Sequence, residues 1–294
     1  MADEVLDVIR SGATLVNSET HKWITVQDVT CPTIIFIHGF TSHGRYMGQL
    51  AGYAHAHGFA TALFNYDSYR GIDAGACDLQ ARLRVVSVPL RQHGYALVAH
   101  SMGGLVALQH SLDESELATC ALRGMILLGV PHAGTLRDKR VVSYMLDWAD
   151  WLTGPNPYAR HPASPAALQL TGNDKEKLLT LLAKRLKETV IRVPCLSVSG
   201  GLNFLEFGNG QFSGTVRNLV LQRLIKDLPN DGLVPESSAD YSRALAVGFG
   251  THCNDYSDYC RINHTCLTRN QQIADVIVSW LLTKAFPGAN VSSH

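Results

Sequence analysis

The sequence has no excess of charge of either sign. Its 294 residues include 25 Lys and Arg against 25 Asp and Glu, which gives a formal net charge of +0 at pH 7. Proteins that bind nucleic acids usually carry a basic excess or a basic stripe, and neither is visible here. We therefore expect no nucleic-acid partner. The balanced net charge also gives no clue to a charged substrate or an anionic membrane as a partner.

Long apolar runs are missing as well. No stretch approaches the roughly 18 consecutive apolar residues that a membrane-spanning helix needs. The first residues, MADEVLDVIRSG, contain early acids and lack the basic-then-apolar order of a signal peptide. We therefore expect a cytoplasmic protein. A removed leader or a leaderless route of secretion would leave the same first residues.

The seven cysteines include no CxxC pair. An odd number without such pairs is typical of free thiols in a reducing compartment. The cluster of His252, Cys253, Cys260, His264 and Cys266 permits two alternatives, a zinc site or a disulfide within the cluster. Structural zinc ligands usually form closer pairs. We therefore expect no metal, and the sequence indicates no other cofactor.

The composition, 46% hydrophobic and 17% charged, is that of a globular chain. An opening hairpin or pair of edge strands is predicted within 14–29. Further strands are predicted at 33–40, 59–67, 95–100, 124–131, 194–200 and 244–250. Helices are predicted over 46–57, 74–93, 101–112, 173–189, 215–227 and 267–285. This alternation predicts an α/β fold with a mostly parallel sheet.

The regular alternation is interrupted after the strand that ends at 131. We expect a single domain, 1–294, in which residues 133–190 form an inserted cap or lid. Within it, YMLDWADWL places Trp148 and Trp151 on one apolar stripe at helical spacing. This stripe fits either a lid over a substrate pocket or a helix packed on the core.

A second group of aromatic residues lies in the Gly-rich loop 200–214. Phe204 and Phe207 would form an apolar wall of a substrate pocket, or a small core within the loop itself. Together with Trp148 and Trp151 they are the predicted substrate-binding residues.

AHSMGG (99–104) places Ser101 on a tight turn between a predicted strand and a predicted helix. The usual pattern has Gly two residues before and two after the serine, and here these residues are Ala99 and Gly103. The following helix directs its N-terminus at the serine. Ser101 is therefore a candidate nucleophile, and the N–H group of Met102 is a candidate oxyanion donor. The alternative is a serine that only caps the helix.

HGF (38–40) ends an earlier predicted strand. The N–H group of Phe40 is a second candidate oxyanion donor, and Gly39 allows the turn that would present it. The alternative is an ordinary glycine at the end of a strand. The two motifs together are more specific than either motif alone.

A serine nucleophile needs a base, and the base needs an orienting acid. In this kind of sheet the chain order is serine, acid, histidine. Asp231, in the turn NDG, is the candidate acid, and Asp227 and Asp240 are weaker candidates. His264 precedes the last predicted helix, where a loop can return over the serine. It is favoured as the base over His252.

These motifs resemble the α/β-hydrolase superfamily and, within it, the lipases and esterases. Five segments are similar to lipase motifs and follow in the same order: FIHGF (36–40), AHSMGG (99–104), LGVPHAGT (128–135), NDGLVPESSA (230–239) and NH (263–264). The resemblance implies a central sheet flanked by helices and a helical cap.

The same resemblance implies the roles of individual residues. Ser101 would be the nucleophile, Asp231 the acid and His264 the base, with Phe40 and Met102 forming the oxyanion hole. Two further histidines of these motifs, His100 and His132, are expected to be packing residues.

The implied activity is hydrolysis of a carboxylic ester through an acyl-enzyme. The substrate would be a small-molecule or lipid ester, with transient contact between the cap and a lipid surface. An acyltransferase or a thioesterase would use the same triad. A binding protein of this fold would lack a member of the triad, and none is missing from the sequence.

Overall fold

The structure, a computed structural model, describes residues 12–112, 121–133, 164–171, 175–188, 193–201, 231–239, 251–253 and 262–289. Their strands form one seven-stranded sheet. The strands are β1 (Thr14–Asn17), β2 (Thr33–Ile37), β3 (Ala60–Asn65), β4 (Tyr95–His100), β5 (Leu122–Leu128), β6 (Cys195–Val198) and β7 (Thr251–Cys253).

The strand order is β1–β3–β2–β4–β5–β6–β7. Neighbouring strands are parallel throughout, except that β1 pairs antiparallel with β3 at the edge of the sheet. The carboxyl ends of β2, β4, β5 and β6 therefore lie along one edge of the sheet, where binding sites of open α/β sheets form.

Eight α-helices are described: α1 (Gly48–Ala56), α2 (Ile72–Val85), α3 (Ser87–His93), α4 (Met102–Ser111), α5 (Pro165–Leu170), α6 (Leu178–Glu188), α7 (Glu236–Ala239) and α8 (Gln271–Trp280). A π turn, Leu281–Ala285, continues α8. The predicted α/β architecture, a mostly parallel sheet flanked by helices, is confirmed.

The side chains of the strands alternate between two core layers, one on each face of the sheet. In β2, Ile34 and Phe36 belong to the layer that contains apolar residues of α1 and α8. Ile35 and Ile37 belong to the opposite layer, with residues of α2, α4 and α6. Because both faces are covered, the central strands consist almost entirely of apolar residues.

The single helix predicted over 74–93 is wrong. The structure has two helices there, α2 and α3, with a break at Val86. The cause is Pro89, which cannot donate a backbone hydrogen bond and whose ring would clash with the carbonyl group of Val85 in a continuous helix. Restarting the helix at Ser87 puts Pro89 in a first turn, where proline is tolerated.

The described part of the predicted insertion packs on the body of the domain. Ala167 and Leu170 of α5 and Leu182 and Leu186 of α6 are buried in the core layer that also holds α2 and α4. The side chain of Gln169 accepts a hydrogen bond from the N–H group of Ile72 (2.8 Å), at the start of α2. This part of the insertion is therefore built into the same core as the sheet.

Several predicted features lie outside the described residues: Trp148, Trp151, Phe204, Phe207, the helix over 215–227 and the strand over 244–250. Within the described ranges, no helix has both the length and the apolar character that a bilayer span requires.

Candidate active site

Ser101 lies on the turn between β4 and α4 with φ 54° and ψ −130°. A non-glycine residue in this region costs about 1–3 kcal/mol of backbone strain, which is typical of functional sites. The N–H group of Ser101 donates to the carbonyl oxygen of Leu128 in β5 (2.9 Å), which holds the turn against the sheet. Its side chain makes no capping hydrogen bond to α4, so the serine does not act as a helix cap.

The two glycines after Met102 allow α4 to start close to the sheet. A Cβ atom on Gly103 would lie 2.4 Å from the carbonyl oxygen of His38, and one on Gly104 would lie 2.1 Å from a methyl group of Val130. Neither position accepts a side chain without movement of the neighbouring chain. The GG pair therefore serves close packing at the helix N-terminus.

The segment 38–41, the candidate oxyanion loop, passes directly over Ser101. A Cβ atom on Gly39 would lie only 2.8 Å from the Cβ atom of Ser101 and 3.4 Å from its Oγ atom. Thr41 at the end of the loop has φ 57°, which is unusual for a β-branched residue. Its N–H group donates to the Oγ atom of Ser68 (3.1 Å), which helps to hold this conformation.

The imidazole of His38 holds one peptide group of this loop. The N–H group of Tyr66 donates to its Nε2 atom (3.4 Å), so the ring proton lies on Nδ1, which donates to the carbonyl oxygen of Gly39 (2.8 Å). The ring also stacks on Tyr66. Because the C=O group of Gly39 and the N–H group of Phe40 share one planar peptide, these contacts fix the direction of the Phe40 N–H.

Asp231 and His264 form a buried pair. The Nδ1 atom of His264 lies 2.7 Å from Oδ2 of Asp231, and the N–H group of His264 donates to the backbone carbonyl of Asp231 (2.8 Å). The other carboxylate oxygen, Oδ1, accepts from the N–H groups of Leu233 (3.1 Å) and Val234 (2.8 Å). Asp231 is fully buried, and the hydrogen bonds of its carboxylate compensate for the loss of water.

Gly129, directly after β5, lies against this pair and was not identified from the sequence. It has φ +56°, and a Cβ atom there would lie 2.9 Å from Nδ1 of His264 and 3.1 Å from Oδ2 of Asp231. Its N–H group donates to the carbonyl oxygen of Val198 in β6 (2.8 Å). The sequence shows a glycine within LGVP after a predicted strand, but it does not show that this glycine packs against His264, which is far away in the sequence.

We expect Gly129→Ala to lower kcat/KM by about 10²-fold, the effect of displacing a reacting group by about an ångström. The new methyl group would push His264 away from Asp231. Gly288→Ala is the matched control, because Gly288 also has positive φ (+82°) but no atom of the described residues lies within 4 Å of an added Cβ. Ester hydrolysis and urea unfolding should be measured on both variants. Equal activity in the two variants would contradict the proposed role of this contact.

His100 connects the nucleophile turn to His264. Its Nε2 atom lies 2.9 Å from the backbone carbonyl oxygen of His264, and the two rings are 4.6 Å apart between centroids. His132, the other histidine expected to be a packing residue, is buried. Its backbone N–H group donates to the carbonyl oxygen of Ser238 (3.0 Å).

Burial keeps two imidazoles beside Ser101 neutral. Desolvation lowers the pKa of His38 to about 3, and desolvation together with the nearby His264 lowers the pKa of His100 well below its usual value. The sign follows from burial, because removing water disfavours the charged form of a histidine. Both rings therefore remain neutral hydrogen-bonding groups at neutral pH.

The predicted site residues fall into two groups in the structure. The first group surrounds Ser101: Met102 follows it at the start of α4, and Phe40 belongs to the loop that packs against it. The second group is the pair of Asp231 and His264. His100 links the two groups through its contact with the carbonyl oxygen of His264, and Gly129 packs against the second group.

Of the weaker candidates for the acid and the base, only His252 lies within the described ranges. The acids Asp227 and Asp240 lie outside them. The backbone of His252 is in β7, where it pairs with Ser197 of β6.

The cluster that permitted a zinc site is only partly described, because Cys260 lies outside the described ranges. Among the residues that the structure describes, no group of three or more His, Cys, Asp or Glu side chains could hold a metal ion.

The model of the "Alpha/beta hydrolase family" matches residues 34–249, well over half of the chain. The chain belongs to the alpha/beta hydrolase family. The matched range includes the segments of Ser101 and Asp231 and ends before His264. No curated protein is similar enough in sequence to count as a match.

Solved structures of lipases and an esterase have the same fold at low sequence identity. A lipase of Bacillus licheniformis in its mature form has a TM-score of 0.59 at 18% identity, over 85% of this chain and 92% of that chain. An esterase of a Rhodococcus species has a TM-score of 0.52 at 14% identity, over 87% and 92%.

Lipase B of Aspergillus fumigatus has a TM-score of 0.60 at 13% identity, over 95% of this chain. This chain covers only 58% of that lipase. At such identities the likeness extends to the fold alone, and it confirms the fold class predicted from the sequence.

Proposed function

We propose that this alpha/beta hydrolase is a carboxylic ester hydrolase that acts through Ser101, Asp231 and His264. The observation that carries the proposal is the backbone of Ser101. A serine with positive φ at the end of a central strand, with a side chain that does not cap the next helix, fits a nucleophile held toward a substrate. The buried Asp231–His264 pair supplies the base that such a nucleophile needs.

The Asp231–His264 contact determines which ring nitrogen of His264 is basic. Asp231 already accepts two backbone N–H groups at Oδ1, and its Oδ2 accepts the Nδ1–H of His264. The free lone pair of His264 is therefore on Nε2. We propose that this atom takes the proton of Ser101 while Oγ attacks the ester carbonyl carbon.

The attack places negative charge on the former carbonyl oxygen. The N–H groups of Phe40 and Met102 are proposed to donate hydrogen bonds to this oxyanion. The Met102 group belongs to the first turn of α4, where N–H groups have no acceptor within the helix. Each donor of this kind typically contributes about 10²–10³ in rate.

The tetrahedral intermediate then collapses, and the bond to the alcohol oxygen breaks. The alcohol leaves with the proton held on Nε2 of His264, and the acyl group remains on Oγ of Ser101. Water then attacks the acyl-enzyme while His264 takes its proton, and the same donors hold the second oxyanion. The acid is released and Ser101 recovers its proton.

The proposed substrate is a small-molecule or lipid ester. Trp148, Trp151, Phe204 and Phe207 remain the proposed residues for binding its acyl chain. Transient contact of the cap with a lipid surface remains part of the lipase form of this proposal.

Hydrolysis of p-nitrophenyl esters from acetate to palmitate tests the function. We expect turnover of at least part of the series and covalent labelling of Ser101 by a fluorophosphonate. A maximum at short chains indicates an esterase, and a maximum at long chains indicates a lipase. Folded protein that neither turns over an ester nor reacts with the fluorophosphonate would contradict the proposal. Product analysis with added alcohols or thioesters separates the acyltransferase and thioesterase alternatives.

A further inference from the structure

His100 occupies a position that links two parts of the site. It is the last residue of β4 and directly precedes Ser101. Its side chain is buried, with 5% of its surface exposed. The ring reaches the loop before α8, where Nε2 lies 2.9 Å from the carbonyl oxygen of His264.

The direction of this hydrogen bond follows from its acceptor. A carbonyl oxygen can only accept, so the proton of the neutral His100 ring lies on Nε2. The nitrogen nearest to His264 is thus used as a donor and cannot serve as a base. The ring faces that of His264 at a centroid distance of 4.6 Å and an angle of 45°, so the contact includes packing as well as the hydrogen bond.

Within the part of the chain that the structure describes, three hydrogen bonds hold His264. Its N–H group donates to the carbonyl oxygen of Asp231 (2.8 Å), and its Nδ1–H donates to the carboxylate of Asp231 (2.7 Å). Its carbonyl oxygen accepts from His100. The first two bonds join the candidate base to the candidate acid. Of the three bonds, the His100 bond alone joins it to the strand that carries the nucleophile.

We propose that His100 is a positioning residue, which sets the placement of His264 relative to Ser101 through its hydrogen bond to the His264 carbonyl group. This inference rests on the proposed function and changes the role expected of His100 from packing to positioning. The two bonds to Asp231 would allow the acid and base to shift together. The third bond fixes that unit against the nucleophile turn (99–104).

Three substitutions of His100 separate the hydrogen bond from the volume of the ring. His100→Gln places an amide N–H at about the reach of Nε2, and His100→Asn is an amide that stops one bond short. His100→Phe retains a ring against His264 but has no donor. His110→Phe is the control, because His110 is also buried and its Nε2 contacts Tyr95 Oη at 2.9 Å, away from the site.

Each variant is titrated with a fluorophosphonate, and kcat, KM and the labelling rate are expressed per titrated site. We expect kcat and the labelling rate to fall together by about 10- to 100-fold in His100→Asn and His100→Phe, as displacement of a reacting group implies. KM should stay within about threefold, because His100 is not proposed to contact substrate. His100→Gln should recover most of the rate, and His110→Phe should match the wild type.

Two outcomes would overturn the inference. One is wild-type rates per titrated site in all folded variants. The other is equal losses in His100→Gln, His100→Asn and His110→Phe, which would indicate general destabilisation. If His100→Phe does not fold, the Gln and Asn pair still isolates the hydrogen bond. Failure of the proposed function is distinguishable, because it would leave the wild type itself without labelling at Ser101 or ester turnover.

Discussion

Ser101→Ala is expected to lower ester hydrolysis by at least about 10⁴-fold, because no other atom in the proposed mechanism can carry the acyl group. The variant should still fold. The Ser101 side chain makes no capping hydrogen bond, and alanine has the same Cβ atom in the same strained backbone. Hydrolysis of the best p-nitrophenyl ester and thermal unfolding, measured together, provide the test.

Ser111→Ala is a suitable control for this experiment. Ser111 ends the same helix that starts after Ser101, and its hydroxyl group donates to the carbonyl oxygen of Leu108 (2.7 Å), away from the site. We expect full activity and full fluorophosphonate labelling in this variant. A Ser101→Ala protein that keeps more than about a hundredth of the wild-type rate would rule out Ser101 as the nucleophile.

Asp231→Asn is expected to reduce kcat by about 10⁴-fold, although the side chain keeps its size. Oδ1 of Asp231 accepts two backbone N–H groups, so the carbonyl oxygen of the asparagine must take that place. Its NH₂ group then faces Nδ1 of His264 and forces this atom to accept. The ring proton moves to Nε2, and the base can no longer take a proton from Ser101.

Nitrogen NMR of His264 would report this tautomer exchange directly, alongside the kinetics. Asp78→Asn serves as the control, because Asp78 pairs with Arg70 at 3.0 Å, outside the site. Its activity should be unchanged. If Asp231→Asn retained a tenth or more of the wild-type kcat, the acid would have to be sought elsewhere, with Asp227 and Asp240 the remaining candidates.

The sequence predicted those parts of the fold and candidate site that depend on local patterns. The strand over 95–100 has the predicted bounds, because a short apolar run between glycine and a tight turn leaves little choice of structure. Ser101 and Asp231 could be proposed because each lies in a turn with a recognisable local pattern. Their order along the chain then indicated His264.

The residues that sequence reasoning missed act through long-range contacts. The ring of His38 donates to the carbonyl oxygen of Gly39. Tyr66, directly after β3, holds that ring in place through a hydrogen bond and stacking. His100 and Gly129 contact a loop that lies more than a hundred positions further along the chain. No local pattern reveals such partners. The break in the helix at Val86, by contrast, could have been predicted from the sequence, because Pro89 does not fit the interior of a continuous helix.

If Phe40 donates to the oxyanion as proposed, the hydrogen bond from His38 to the carbonyl oxygen of Gly39 lowers the energetic cost of each turnover. The Phe40 N–H dipole has its direction before any substrate arrives, since the neighbouring ring is buried and neutral. Water would have to reorient around a developing oxyanion, whereas a fixed dipole does not. In the proposed mechanism the reorganisation free energy is thus incurred once, when the chain folds, and each catalytic cycle would begin from a dipole that is already aligned.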